Sequence, residues 1–137
     1  MRLFLDANVL FTAAHNPDGK AAFIISLTGK ATWDICTSAF AVEEAGRNLA
    51  AKYPGAEKKL AALLKSIIVV QEQFNAPFPE KLADKDRPIF CAAYACRATH
   101  ILTGDIIHVG PFMNKPEKTS GITILTPAQF LRSLLSK

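Results

Sequence analysis

Short apolar runs alternate with longer amphipathic stretches along the whole chain. Leu3-Phe4-Leu5 is an unbroken apolar run, too short for a helix and suited to a strand buried on both faces of a parallel sheet. Residues 8–14 predict a short helix, closed by the breaker cluster His15-Asn16-Pro17-Asp18-Gly19. Residues 20–28 predict a second helix, with Phe23, Ile24 and Leu27 at three-to-four spacing and Gly29 as its stop. A second strand is expected over residues 31–36, where Trp33, Ile35 and Thr37 alternate.

Ser38 is a favourable N-cap for a helix reaching Tyr53, before Pro54-Gly55. Its apolar stripe is read as Val42, Gly46, Leu49 and Tyr53. Residues 56–66 form another amphipathic stretch, and the β-branched run Ile67-Ile68-Val69-Val70 predicts a third buried strand. From Gln73 to Lys85 periodicity lapses around Pro77 and Pro79, as in a long surface connection. A helix over residues 87–98, a fourth strand at Ile101-Leu102, a loop over 108–120 and a fifth strand over 122–125 follow. The last helix carries a capping box, with Thr126 at the N-cap, Pro127 next and Gln129 at the third position, and ends in Arg132 and Lys137. Such alternation implies an α/β fold with a mostly parallel sheet covered on both faces.

Composition narrows this modestly. A chain of 137 residues, half hydrophobic and one-fifth charged, suits one globular domain over residues 1–137. A net charge of +4 is compatible with a nucleic-acid partner but does not require one. Cys36, Cys91 and Cys96 are odd in number and form no Cys-x-x-Cys pair, so neither a disulfide framework nor a zinc ribbon is indicated, and Cys91 and Cys96, in an apolar helical stretch, read as core thiols. No apolar segment is long enough to cross a membrane, and Asp6 and Asn8 interrupt any leader-like stretch, so the cytoplasm is the expected compartment.

Three acids occupy comparable local positions. Asp6 follows the first strand, Asp105 follows Ile101-Leu102-Thr103-Gly104, and Asp86 stands before the helix opening at Arg87-Pro88. In a parallel sheet Asp6 and Asp105 project from the carboxyl edge, where open α/β sheets bind ligands. Glu43 and Glu44 lie about a turn and a half into the Ser38 helix. Each acid also has a plainer reading. Asp6 and Asp86 can be helix caps, Asp105 a turn residue, and the glutamates a solvated face. Clustered carboxylates repel unless cations neutralise them, and oxygen-only ligands suit Mg²⁺ or Mn²⁺.

The ordered set Leu5-Asp6-Ala7-Asn8-Val9-Leu10, Thr37-Ser38 with Glu44, Asp86 at a helix start, Leu102-Thr103-Gly104-Asp105, and the ending Gly121-Ile122-Thr123-Ile124-Leu125-Thr126-Pro127-Ala128-Gln129-Phe130-Leu131 resembles the PIN-domain family over essentially the whole chain. That resemblance implies a three-layer α/β/α sandwich with a central five-stranded parallel sheet. It also implies a divalent-metal-dependent endoribonuclease that uses Mg²⁺ or Mn²⁺. The family's acidic positions fall on Asp6, Glu44, Asp86 and Asp105, with Glu44 preferred to Glu43 by its spacing from Ser38. Asp6, Asp86 and Asp105 would hold the metal directly, Glu44 directly or through water, and Asn8, Ser38 and Thr103 would orient them.

The implied partners are an RNA substrate, an antitoxin protein of a toxin–antitoxin pair, and a second copy in a homodimer. One departure stands out. Many PIN-domain toxins carry Asn at the Asp105 position and an acid three residues on, where this chain has His108. His108 is then either a phosphate or metal contact or an ordinary surface histidine.

Among the basic candidates for phosphate contacts (Arg47, Lys52, Lys85, Arg87, Lys115 and Lys118), Lys85 and Arg87 adjoin a proposed ligand. Asp84 is a peripheral acid. The competing reading is a PIN domain that binds nucleic acid or protein without catalysis. A haloacid-dehalogenase-type phosphatase is disfavoured, because Asn8 stands where that family needs a second Asp.

Overall fold

The structure is a computed structural model of the full chain and describes residues 1–71, 78–105 and 109–135. His108, Lys137 and residues 73–77 of the expected surface connection lie outside the described residues. Five strands form one sheet: β1 (Arg2–Leu5), β2 (Asp34–Ser38), β3 (Ile68–Val70), β4 (His100–Leu102) and β5 (Thr123–Leu125). Their order is β3-β2-β1-β4-β5, and every pairing is parallel. Phe4 is opposite Cys36 on one side and Ile101 on the other, which places β1 at the centre.

Parallel strands need crossovers, and the described helices supply them: α1 (Ala7–His15), α2 (Lys20–Ser26), α3 (Ala39–Lys52), α4 (Glu57–Leu64), α5 (Arg87–Ala95) and α6 (Pro127–Leu135). Helix α1 packs on α2, α3 and α4, whereas α5 packs on β2 and on the 3₁₀ turn at Asp84–Asp86. Right-handed crossovers that run outward in both directions from β1 put helices on both faces of the sheet. The sandwich expected from the alternation is therefore present. Leu3, Phe4 and Leu5 are fully buried, as a central strand covered on both faces requires.

Local signals explain most element boundaries. Ser38 caps α3, its Oγ accepting from the Ala41 N–H at 3.1 Å. The capping box is formed as read: Thr126 N–H donates to Gln129 Oε1 at 2.9 Å, and Gln129 N–H donates to Thr126 Oγ1 at 3.1 Å. Helix α6 is then anchored by Phe130, fully buried with its ring edge-on to Trp33 and His100.

Three expectations are corrected. Strand β2 begins at Asp34 and runs through Ser38, three residues later than expected. The register carries it there, since Arg2 pairs with Asp34 and Ser38 with Val70. β3 is not a buried strand. It lies at the sheet edge, and Ile68 and Val69 are 48% and 45% exposed. The buried stripe of α3 is Ala41, Ala45 and Leu49, while Tyr53 leaves the core to stack on His15. Alanine faces let α3 approach α1 closely, and the side-chain pattern alone did not show which small residues would be used.

Phe130→Ala is expected to cost about 3–5 kcal/mol, the usual range for deleting a fully buried Phe side chain. Chemical denaturation checks it. A loss under about 1 kcal/mol would show that α6 is not held by this ring.

Candidate metal centre at the carboxyl edge of the sheet

The strand order reverses at β1, because β2 and β4 lie on either side of it. Ligand crevices in open α/β sheets form at such a switch point, outside the carboxyl ends of the strands. Asp6 leaves β1 there, and the Thr103–Asp105 turn leaves β4 beside it. The two ends are joined by a backbone bond from Asp6 N–H to Leu102 C=O at 3.0 Å.

Asp6 is only 8% exposed, and its carboxylate accepts three hydrogen bonds. Oδ1 accepts from Ala7 N–H at 2.7 Å. Oδ2 accepts from Thr103 Oγ1–H at 2.7 Å and from Asn8 Nδ2–H at 3.3 Å. Asn8 in turn uses its Oδ1 to accept from Gly104 N–H at 2.7 Å. A Cβ on Gly104 would lie 3.3 Å from that oxygen, so glycine keeps the turn close to α1. Thr103 Oγ1 also accepts from Asp105 N–H at 3.1 Å. Thr103 and Asn8 thus bind Asp6 to the turn that presents Asp105. Asp6 is a helix cap after all, and it also lines an acidic pocket.

Burial raises the Asp6 carboxyl above its ordinary value. The bonds from Thr103, Ala7 and Asn8 pull it back, and neighbouring Asp105 pushes it further up. Asp86 holds the N-cap position of α5 but makes no side-chain cap bond. It lines one pocket of about 100 Å³ together with Asp6, Asn8, Phe40, Glu44, Lys85, Ile89 and Asp105. All four predicted acids are therefore brought to one place. Glu43 is not among them. It faces outward and pairs with Arg47 at 3.0 Å. Ser38 is buried behind the site as the α3 cap, away from the lining.

Of the basic candidates, Lys85 alone lines the acidic pocket among the described residues, with Nζ 3.4 Å from Asp105 Oδ2. Arg87 points elsewhere, stacked over Phe78 at 4.3 Å with Nε 3.3 Å from the exposed Asp84. Lys52 lies over the Phe11 ring.

Phe40 and Ile89 were missed as lining residues. Phe40 stands four residues before Glu44 on α3 and Ile89 three after the α5 cap Asp86, about one helical turn in each case, which was the available signal. Lys20 was missed too. It lines a wider groove of about 560 Å³ that adjoins the pocket through Asn8 and Asp105 and reaches the start of α6. Packing of α2 against α6 brings it there, and nothing local in the sequence announces it.

The donor set is wholly oxygen, which suits a hard divalent cation. No group of three or more metal-ligating side chains among the described residues converges closely enough, as placed, to enclose an ion. Magnesium is commonly held by only one or two carboxylates plus water, so the donors still fit. The Lys85 ammonium beside Asp105 is a cation already drawn to the same charge.

No family model matches the chain, and no curated protein matches it by sequence. Solved structures do share its fold. VapBC2 from Rickettsia felis, bound to a DNA fragment from their promoter, superposes with a TM-score of 0.63 at 17% identity, covering 90% of this chain and 97% of that one. VapC20 of Mycobacterium tuberculosis, a sarcin–ricin loop cleaving toxin, gives 0.53 at 12% identity over 80% of this chain and 94% of that one. At such identities the likeness establishes architecture. The PIN-type α/β/α fold that the sequence resemblance implies is the fold of this chain.

Asp6→Asn is expected to gain in metal-free stability relative to the parent as pH rises, because it removes the charge that burial disfavours. With its folded value raised, Asp6 lowers stability as pH climbs from the ordinary carboxylate value through the raised one, and by a constant amount above it. The gain should therefore vanish near pH 3 and plateau at higher pH. Melting curves in chelator across that range check it. A variant equally destabilised at every pH would contradict the account.

Proposed function

We propose that the chain is a divalent-metal-dependent endoribonuclease. The observation that carries this reading is the convergence of Asp6, Glu44, Asp86 and Asp105 on one pocket at the switch point of a PIN-type sheet. In this reading Asp6, Asp86 and Asp105 hold Mg²⁺ or Mn²⁺, and Glu44 joins them directly or through water. Bound there, the ion lowers the pKa of a water and offsets charge on the phosphate oxygens.

The remaining work falls to the chain. Thr103 and Asn8 fix the Asp6 carboxylate and the Asp105 turn, so that the acids keep their relative placement. Lys85 balances Asp105 in the absence of a metal and is free to turn to a substrate phosphate when the acid is otherwise engaged. The groove containing Lys20 and the start of α6 gives an RNA strand a path beside the pocket. The sarcin–ricin loop cleaving activity named for VapC20 supports RNA as the substrate class. VapBC2, a complex carrying promoter DNA, supports a toxin–antitoxin setting with an antitoxin protein as partner. No helix among the described residues is long and apolar enough to cross a membrane.

Single-stranded RNA incubated with the protein and Mn²⁺ should be cut in a chelator-sensitive reaction. Asp6→Asn and Asp86→Asn should each slow it by at least about 100-fold, the upper end of what losing an outer-shell partner costs. RNA retained on the protein but never cut under Mn²⁺ would instead favour a binding domain without catalysis. Cleavage undiminished in both folded variants would overturn the assignment.

A further inference from the structure

Cys36 and Cys96 are 60 residues apart in sequence, yet their sulfurs lie 3.2 Å from each other. Cys36 sits within β2, buried to 1% exposure between Phe4 of β1 and Ile68 of β3. Cys96 follows the last turn of α5 and is half-buried. Their closeness is a consequence of α5 packing on β2.

The surroundings are charged. Arg2 donates from Nη1 to Cys96 C=O at 2.7 Å and from Nε and Nη2 to Asp34 Oδ2 at 3.3 and 3.2 Å. Cys91, the third cysteine, is buried on α5 and takes no part in this contact.

We propose that Cys36 and Cys96 are a redox-active thiol pair that closes to a disulfide with a low-molecular-weight disulfide such as oxidised glutathione, fastening α5 to β2. Sulfurs already in hydrogen-bond contact need only approach by about 1 Å to reach bonding distance. The order of attack follows from the geometry. Cys96 is the more accessible sulfur and is closer to ionisation. Its thiol is lowered to about 7, chiefly by the hydrogen bond from Cys36 and also by the Arg2 charge, against the opposing effect of burial. Cys36 is raised, because it keeps the shared proton in a buried position with Asp34 nearby.

The Cys96 thiolate attacks one sulfur of oxidised glutathione. The S–S bond breaks, one glutathione leaves as thiolate, and it takes a proton from solvent. With Cys96 capped, Cys36 no longer shares its proton with a neighbouring thiolate. It gives that proton to solvent and attacks Cys96 Sγ, and the second glutathione leaves and is protonated. Two protein thiols are oxidised, and one disulfide is reduced to two thiols.

The test uses the whole chain, reduced and then incubated with oxidised glutathione in chelator, alkylated and mapped by mass spectrometry. The expected product is a Cys36–Cys96 linkage with a mass loss of about 2 Da and Cys91 still alkylatable. It should form at least about tenfold faster in native buffer than in urea, because folding supplies the proximity. Cys91→Ser should react as the parent does, and Cys96→Ser should form no internal linkage. The oxidised protein should melt several degrees higher, since the crosslink spans 60 residues. Three persistent thiols in the native protein, a linkage through Cys91, or formation as fast in urea would each overturn the proposal. Peptide mapping of the parent decides the matter even if a variant fails to fold.

Discussion

A carboxylate taken out of water is the constraint on which the site rests. Asp6 is 8% exposed at the end of the central strand, where burial disfavours its charged form and donors counter that effect. Thr103, Ala7 and Asn8 provide them, and two of the three also position something else. Thr103 orders the turn to Asp105, and Asn8 holds Gly104. The same few bonds therefore cap α1, join the ends of β1 and β4, and concentrate negative charge. Neighbouring Asp105 pushes the Asp6 carboxyl further up, and Lys85, 3.4 Å from Asp105, offsets part of that negative charge.

The sheet explains why these groups meet at all. Parallel strands deliver their carboxyl ends to one edge, and the reversal of order at β1 leaves a crevice there rather than a covered seam. Asp86 arrives from the opposite direction, on the turn that starts α5, and Glu44 from the second turn of α3. Four segments distant in sequence thus contribute one acid each to a pocket of about 100 Å³.

Much of this was legible in the sequence where a local rule has one structural answer. Thr126-Pro127-Ala128-Gln129 can hardly be anything but a helix start, and Ser38 behaves likewise. Asp6 was legible only as two competing readings, cap or site, and the structure shows that the cap carboxylate also lines the acidic pocket, so the two readings do not exclude each other. What was not legible depends on tertiary packing. The exposure of β3 follows from its place at the sheet edge, which its β-branched residues do not encode. Arg87 and Lys85 looked equivalent beside Asp86, yet one turns to Phe78 and Asp84 and the other to Asp105. The closeness of Cys36 and Cys96 is set by how α5 crosses β2, and spacing alone carried no trace of it.

The central claim is that the four acids form one cation site built around Asp6. Calorimetric titration of Mn²⁺ into the metal-free protein, in parallel with Asp6→Asn, tests that claim most directly. The account predicts saturable binding by the parent and at least about tenfold weaker binding by the folded variant. Equal affinity in the two proteins, or no binding by the parent, would contradict it.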